Sequence, residues 1–530
     1  MQKRIRIIAL SLGIIISVIP IQAAPKSKSK RAKTKTGNQA KAEDTQITTV
    51  NTAAKADEAQ TKTEEVQPKA EETLSLADIE KLKKLSGQMA RLVQAAPLRK
   101  AKMGIDIVSI KDGRQIFSHN ADLPLIPASN MKILTSLAAL SYLGSEYRFK
   151  TEIYGEHNLS SGVINGNLYI KGYGDPILVW EEMIKIARYL HGTGLRQVKG
   201  DLIADESYFD NERNGKAWKK STNGNMYSAP LGALSANFNI VEVNVSPGDK
   251  VNTPLNLWTN PPTTFFHIVN KAVTAKGRGT LYLNYQRRDD KPTLILQGHM
   301  PPGRIAHTFY RAIDDPPVYA ASAFRELLSL WGIKIEGQIK VDVTPNTAKL
   351  IYTHESRPLS LILRGLNKYS NNFTAEQLIK TVGATVKGEP GTAEKGLEAL
   401  RERLKALGVD DGNLVLADGS GLSTENRVTP KTLTKVLCAL YNDFNSQPEF
   451  MASLAITGKD GTLRRRMKTT QCVRAKTGHI NGVAALSGYV FTKDKEIWAF
   501  SMLMNDGGGY AQTLQDKLCN LMVNFSCGEI

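Results

Sequence analysis

Three short stretches carry residue types that can do chemistry together: Ser129-Asn-Met-Lys132, Ser370-Asn-Asn372 and Lys476-Thr-Gly478. A serine hydroxyl is a weak nucleophile until a neighbouring base takes its proton. Lys132, one helical turn from Ser129, can be that base if burial lowers its pKa. Ser370 can relay a proton towards a leaving amine, and the Asn372 amide can bind a substrate backbone. Lys476 and Thr477 can hold a free carboxylate, while Gly478 keeps a strand face open to close approach. Together these residues spell acyl transfer through an activated serine.

Each match alone is weak. Ser27 and Lys30 repeat the first spacing, and Lys35-Thr36-Gly37 repeats the third, in a polar stretch without apolar periodicity. Context separates the candidates from these repeats. Ser129 opens a run in which Ile133, Leu134, Leu137, Leu140 and Leu143 recur at helical spacing, so it stands at a helix N-terminus. Ser370 and Asn372 fall in a short polar loop between an apolar segment (Leu359, Ile362, Leu363, Leu366) and an amphipathic helix from Ala375 to Val382. Lys476-Thr-Gly478 leads into two apolar runs, 482–492 and 497–504, separated by Lys493-Asp-Lys-Glu496, the pattern of an antiparallel hairpin. Helix capping explains either serine taken singly; three motifs in order and in fitting elements are not explained that way.

This ordered set resembles that of penicillin-binding proteins and serine β-lactamases. The chain as a whole is similar to the D-alanyl-D-alanine carboxypeptidase/endopeptidase family, the class C low-molecular-mass penicillin-binding proteins. The resemblance takes in Asn120-Ala-Asp122, Leu125-Ile-Pro-Ala-Ser-Asn130, Gly174-Asp-Pro176 and Ser228-Ala-Pro-Leu-Gly-Ala-Leu234 with Asn237 and Asn239. It continues through Tyr319-Ala-Ala-Ser-Ala-Phe324, Tyr369-Ser-Asn-Asn372 with Ala375-Glu376, and Asp418-Gly-Ser-Gly-Leu-Ser423, covering about residues 75–530. It implies an α/β multi-domain fold: a transpeptidase-like domain, an antiparallel sheet flanked by helices, with one or two mainly β domains inserted between the first two motifs. It also implies hydrolysis of D-Ala-D-Ala stem peptides or peptidoglycan cross-links, covalent inhibition by β-lactams, and no metal or organic cofactor. Asp205 resembles an insert aspartate that meets a substrate amino group. Two departures stand out. Thr424 replaces a common arginine that the resemblance assigns to the substrate side chain, with Arg427 a nearby substitute, and His479 replaces a common Ser or Thr. The resemblance implies that the backbone N–H groups of Ser129 and His479 stabilise an oxyanion, a role that needs no particular side chain.

Spacing supports the insertion independently, because about 240 residues separate Ser129 from Ser370, room for one or two ordinary domains. Short β-type runs fill it at Gly166–Lys171, Gly200–Ile203, Ile240–Val245, Leu281–Tyr285 and Thr293–Gln297. The expected division is a first catalytic part at 74–149, inserts at 150–345 with 241–315 as a nested third domain, and a second catalytic part at 346–530. A break near Pro247-Gly248-Asp249 marks the nesting.

Lys3, Arg4 and Arg6 precede an apolar run from Ile7 to Ile21 and a small-residue cleavage site, the pattern of a signal peptide over 1–24. An uncleaved anchor is the rival reading. Residues 25–73 are Lys, Ala, Thr, Glu and Gln without aromatics, a linker that cannot bury enough surface to order itself. Together these place the protein in the periplasm or envelope. The net charge of +18 is spread along the chain, suits an anionic envelope, and comes with no nucleic-acid module. Cys519 with Cys527, and Cys438 with Cys472, are candidate disulfides of an exported chain. The eight histidines lack metal-ligand spacing, so no metal site is expected. A β-lactamase and a non-catalytic wall-binding scaffold are the alternative functions.

Overall fold

The computed structural model describes residues 75–530 apart from 98–100, 157–160, 216–217, 219–225, 289–290, 410–411 and 527–530. The expected signal segment, the expected linker and Cys527 therefore lie outside the described residues. Six strands build the central sheet: β1 (Lys102–Ser109), β2 (Gln115–His119), β3 (Ala455–Ile456), β4 (Val473–Ile480), β5 (Val483–Phe491) and β6 (Ile497–Asn505). Their spatial order is β3-β4-β5-β6-β1-β2, antiparallel throughout, so strands from both ends of the chain meet at the β6–β1 pair.

β5 is buried at all but its last residue, because both sheet faces are covered. Period-two alternation sorts the side chains. Leu486, Val490, Trp498, Phe500, Met502 and Met504 meet α1 (Leu76–Ala95) and the C-terminal helix Tyr510–Val523 on one face. Ala485, Tyr489, Ala499 and Leu503 meet the other layer, made by α2 (Met131–Leu143), α3 (Leu359–Tyr369), α4 (Asn372–Lys387) and α5 (Pro430–Asn442). α2 is buried on every side from Met131 to Leu140, which explains a composition apolar all round rather than along one stripe.

The chain between α2 and α3 forms sheets of its own. Strands 150–155, 168–172, 202–205, 339–341 and 349–355 make a five-stranded sheet, in which 150–155 pairs antiparallel with 349–355. Strand 240–246 pairs with 256–260 and with 307–312, and the stretch between those two partners supplies a further four-stranded sheet. Helices 180–192 and 316–330 share one apolar core with these sheets. Thus the expected fold class, an α/β arrangement with a helix-flanked antiparallel sheet and additional β structure between the first two motifs, is the observed one. Among the described residues, no helix is long and apolar enough to cross a membrane.

The expected Cys438–Cys472 pairing is corrected: both are free thiols, as is the buried Cys519. Cys438 lies on α5, which packs over the sheet against Asp106 of β1 and Tyr489 of β5, whereas Cys472 precedes the strand β4 itself. Burial raises the Cys438 thiol to about 11 and that of Cys519 to about 12, so both remain protonated at neutral pH.

Candidate active site

Ser129 sits in a single 3-10 turn, Ala128–Asn130, that runs straight into α2. Ala128 is held at φ +46°, a left-handed conformation costing a non-glycine residue about 1–2 kcal/mol. Neighbours hold it there. The Asn505 side chain at the end of β6 accepts from Ile126 N at 2.9 Å and donates to Ile126 O at 3.1 Å. Asn130 points under the sheet and donates to Ser487 Oγ at 3.2 Å, which in turn bonds Ser501 Oγ at 2.9 Å.

From the other side comes loop 418–423. Asp418 organises it, its carboxylate accepting from Gly421 N and Ser423 N, both at 2.7 Å. Gly421 has φ +77°, and an added Cβ would overlap the Ala128 carbonyl oxygen. Rotating a side chain cannot relieve a clash with backbone. Gly421→Ala is therefore expected to cost about 3 kcal/mol or more and to slow acylation at Ser129. Gly113, at φ +73° with open space around it, is the control, and Gly113→Ala should cost about 1–2 kcal/mol. Thermal melts of both variants check the difference; equal losses would show that the packing against Ala128 is unimportant.

Lys132 is fully buried, and its Nζ touches Ser129 Oγ at 3.0 Å, Asn372 Oδ1 at 2.7 Å and Ser420 O at 2.6 Å. Burial lowers its pKa to about 7, against the opposing pull of Asp418 and Glu376. A neutral amine has two N–H bonds and one lone pair. With two carbonyl oxygens taking the N–H bonds, the lone pair faces Ser129. Glu376, one turn beyond Asn372, fixes the second carbonyl by accepting from Ser420 N at 2.7 Å and Gly419 N at 3.1 Å. Burial, helped by Asp418, raises the Glu376 carboxyl to about 7.

The second motif is a helix-to-helix corner. Ser370 ends α3 in the left-handed conformation at φ +61°. The middle residue, Asn371, caps α4 by accepting from Thr374 N at 3.0 Å. Capping thus falls to Asn371 and leaves Ser370 and Asn372 to face the site. The helix begins at Asn372, earlier than the apolar pattern from Ala375 indicates, because the cap lies before the first apolar residue.

The third motif lies on β4. Buried Lys476 donates to Ser370 Oγ at 2.9 Å and to Thr477 O at 2.7 Å. Burial and neighbouring Lys132 hold its amine well below the ordinary lysine pKa. Gly478 passes so near Pro127 O that an added Cβ would lie 2.8 Å from it. His479 is exposed at the strand's end.

The structure therefore brings together Ser129, Lys132, Ser370, Asn372, Lys476, Thr477 and Gly478, with His479 next in line. Asp205 takes other partners. Asp205 is fully buried in the five-stranded sheet, accepting from Ser207 N at 2.9 Å and Thr344 N at 2.8 Å, with Lys171 at 3.6 Å. Thr424 is exposed, and Arg427 donates to Thr424 O at 2.7 Å and Asn426 O at 2.8 Å.

Sequence reasoning assigned no role to Glu376, Asp418, Ser420 or Asn505. Asp418, Ser420 and Glu376 stood inside resembling motifs, a usable signal, although Ser420 acts through its backbone carbonyl, a role its side chain does not announce. It also missed two reaches of the intervening chain into the site. Trp218 Nε1 donates to Asp418 at 3.0 Å, and Tyr227 O accepts from Asn372 Nδ2 at 3.0 Å.

Fold and cluster together define a serine peptidase of the penicillin-binding type. The chain belongs to the D-Ala-D-Ala carboxypeptidase 3 (S13) family, whose model matches residues 85–524. It is 33% identical over 475 residues to a D-alanyl-D-alanine carboxypeptidase of Actinomadura sp. strain R39, covering 85% of this chain and 87% of that one. It is 26% identical over 419 residues to the carboxypeptidase DacB of Haemophilus influenzae, covering 76% of this chain and 85% of the relative. The crystal structure of penicillin binding protein 4 from Haemophilus influenzae shares the fold with a TM-score of 0.70 at 24% identity, covering 82% of this chain and 98% of that one. That relative has also been solved in complex with a β-lactam.

Proposed function

We propose that the protein hydrolyses peptidoglycan peptides ending in D-Ala-D-Ala, and the cross-links derived from them, through a Ser129 acyl-enzyme. The observation that carries this reading is the threefold environment of Lys132 Nζ, which aims the lone pair of a neutral amine at Ser129 Oγ. Neutral Lys132 takes the hydroxyl proton as Oγ attacks the penultimate D-Ala carbonyl. The amides of Ser129 and His479 receive the oxyanion. Lys132 gives that proton up again by way of Ser370, which is bonded to Lys476: the Ser370 hydroxyl protonates the departing amine and is reprotonated from Lys132. Water then cleaves the ester and restores Ser129. A cross-link presents the same carbonyl with a different amine leaving, so endopeptidase action uses the same groups.

The substrate backbone would lie along β4 beside Asn372, with its carboxylate at Lys476 and Thr477. For the domains we propose inserts at 150–345 with 241–315 nested, a reading supported by the closing pairs 150–155 with 349–355 and 240–246 with 307–312. Export to the periplasm through the 1–24 segment suits such a substrate, and β-lactams would acylate Ser129. A substrate-contacting role for Asp205 would require its buried carboxylate to exchange its present partners.

The test is intact-protein mass spectrometry after penicillin exposure, followed over time. A persistent single adduct is the expected result. Rapid loss of the adduct with drug hydrolysis would favour a β-lactamase. No adduct at any time would leave a wall-binding scaffold.

A further inference from the structure

One exposed hydroxyl beside the third motif is used by nothing so far described. Thr477 Oγ1 donates to Thr462 Oγ1 at 2.8 Å. Accepting that bond leaves the Thr462 proton for an incoming anion. Lys476 is buried and directed at Ser370 Oγ and Thr477 O, so the open edge of the site presents hydroxyls.

The placement of Thr462 is built. It lies in a single 3-10 turn, Gly461–Leu463. Immediately before it, Asp460 accepts from Ile456 N at 2.9 Å and from buried Lys368 Nζ at 2.6 Å. Lys368 also donates to Leu454 O at 2.9 Å, and it stands on α3 two residues before Ser370. Gly461, at φ +53°, passes so close that an added Cβ would lie 2.6 Å from Lys368 O. One lysine thus ties the turn carrying Thr462 to the corner carrying Ser370 and Asn372. Exposed Lys459, Arg464, Arg465 and Lys468 flank the turn and bias this edge towards anions.

We infer that Thr462 is a second hydroxyl donor for the substrate carboxylate, gripping with Thr477 the carboxylate next to the scissile bond. The inference rests on the acyl-enzyme reading above and adds a specificity-determining residue to it. Two hydroxyl oxygens 2.8 Å apart suit the two oxygens of one carboxylate. When the anion arrives, Thr462 donates outward and Thr477 turns its proton from Thr462 to the second carboxylate oxygen.

The experiment compares two N-acyl-D-alanyl thioesters, one with a thioglycolate leaving group and one with its methyl ester, which lacks the carboxylate. Wild type should favour the free acid. Thr462→Val keeps the side-chain shape and removes the hydroxyl; it should lower kcat/KM for the free acid about 10–100-fold, mainly through KM. It should leave the methyl ester within about twofold, and Thr462→Ser should restore the preference. Equal losses on both esters would mark Thr462 as merely structural and overturn the inference. So would an unchanged preference in Thr462→Val, or no preference in wild type. Failure of wild type to be acylated by either ester would instead overturn the Ser129 reading.

Discussion

Ser129→Ala is expected to lose turnover completely and to form no adduct with penicillin, while melting within about 1 kcal/mol of wild type. The loss follows from the absence of another nucleophile at the end of the proton path: the lone pair of Lys132 is aimed at this oxygen, 3.0 Å away. The fold should survive because the Ser129 side chain is only partly buried, whereas the neighbours Ala128, Asn130 and Lys132 are buried. Mass spectrometry and a melting curve on the same sample read both outcomes. An adduct on the variant would sink the assignment of the nucleophile.

Lys132→Met is expected to slow acylation about 10²–10⁴-fold and to change its pH dependence. In wild type the amine must be neutral to act, and burial lowers its pKa to about 7. Acylation should therefore rise tenfold per unit below about pH 7 and level off above it, an apparent value shared with the Glu376 carboxyl, which burial also brings to about 7. The methionine variant should lack this limb. Stability should respond as well. A lysine whose folded pKa lies below the unfolded one contributes stability that is present above about pH 10.5 and lost as pH falls through about 7. The methionine variant should therefore gain on wild type between pH 10 and pH 6. Melts at the two ends and a pH series of acylation rates test both parts; an unchanged acid limb in the variant would remove Lys132 from the base role.

Much of this site was legible because it depends on side chains at fixed local spacing. Ser129 and Lys132 share a turn, Ser370 and Asn372 share a corner, and Lys476 and Thr477 share a strand; helix and strand periods settle those relations without tertiary information. The apolar runs at 482–492 and 497–504 gave the hairpin, observed as β5 and β6. The disulfide expectation failed for the opposite reason. Sequence alone cannot give the proximity of α5 and β4, whose separation depends on where α5 crosses the sheet.

Residue types and order by themselves pointed to Ser129 as the candidate nucleophile, Lys132 as its candidate base and 476–478 as the candidate carboxylate strand, and to a chain with extra β structure between its first two motifs. Only the tertiary structure decided how the base is poised. The pKa of Lys132 depends on complete burial, and its lone-pair direction on two oxygens distant in sequence, Asn372 Oδ1 and Ser420 O. Tertiary structure also decided that Asp418 is held by Trp218 and that Thr462 meets Thr477. Desolvation and long-range hydrogen bonds are properties of what surrounds a group, and local sequence does not specify the surroundings.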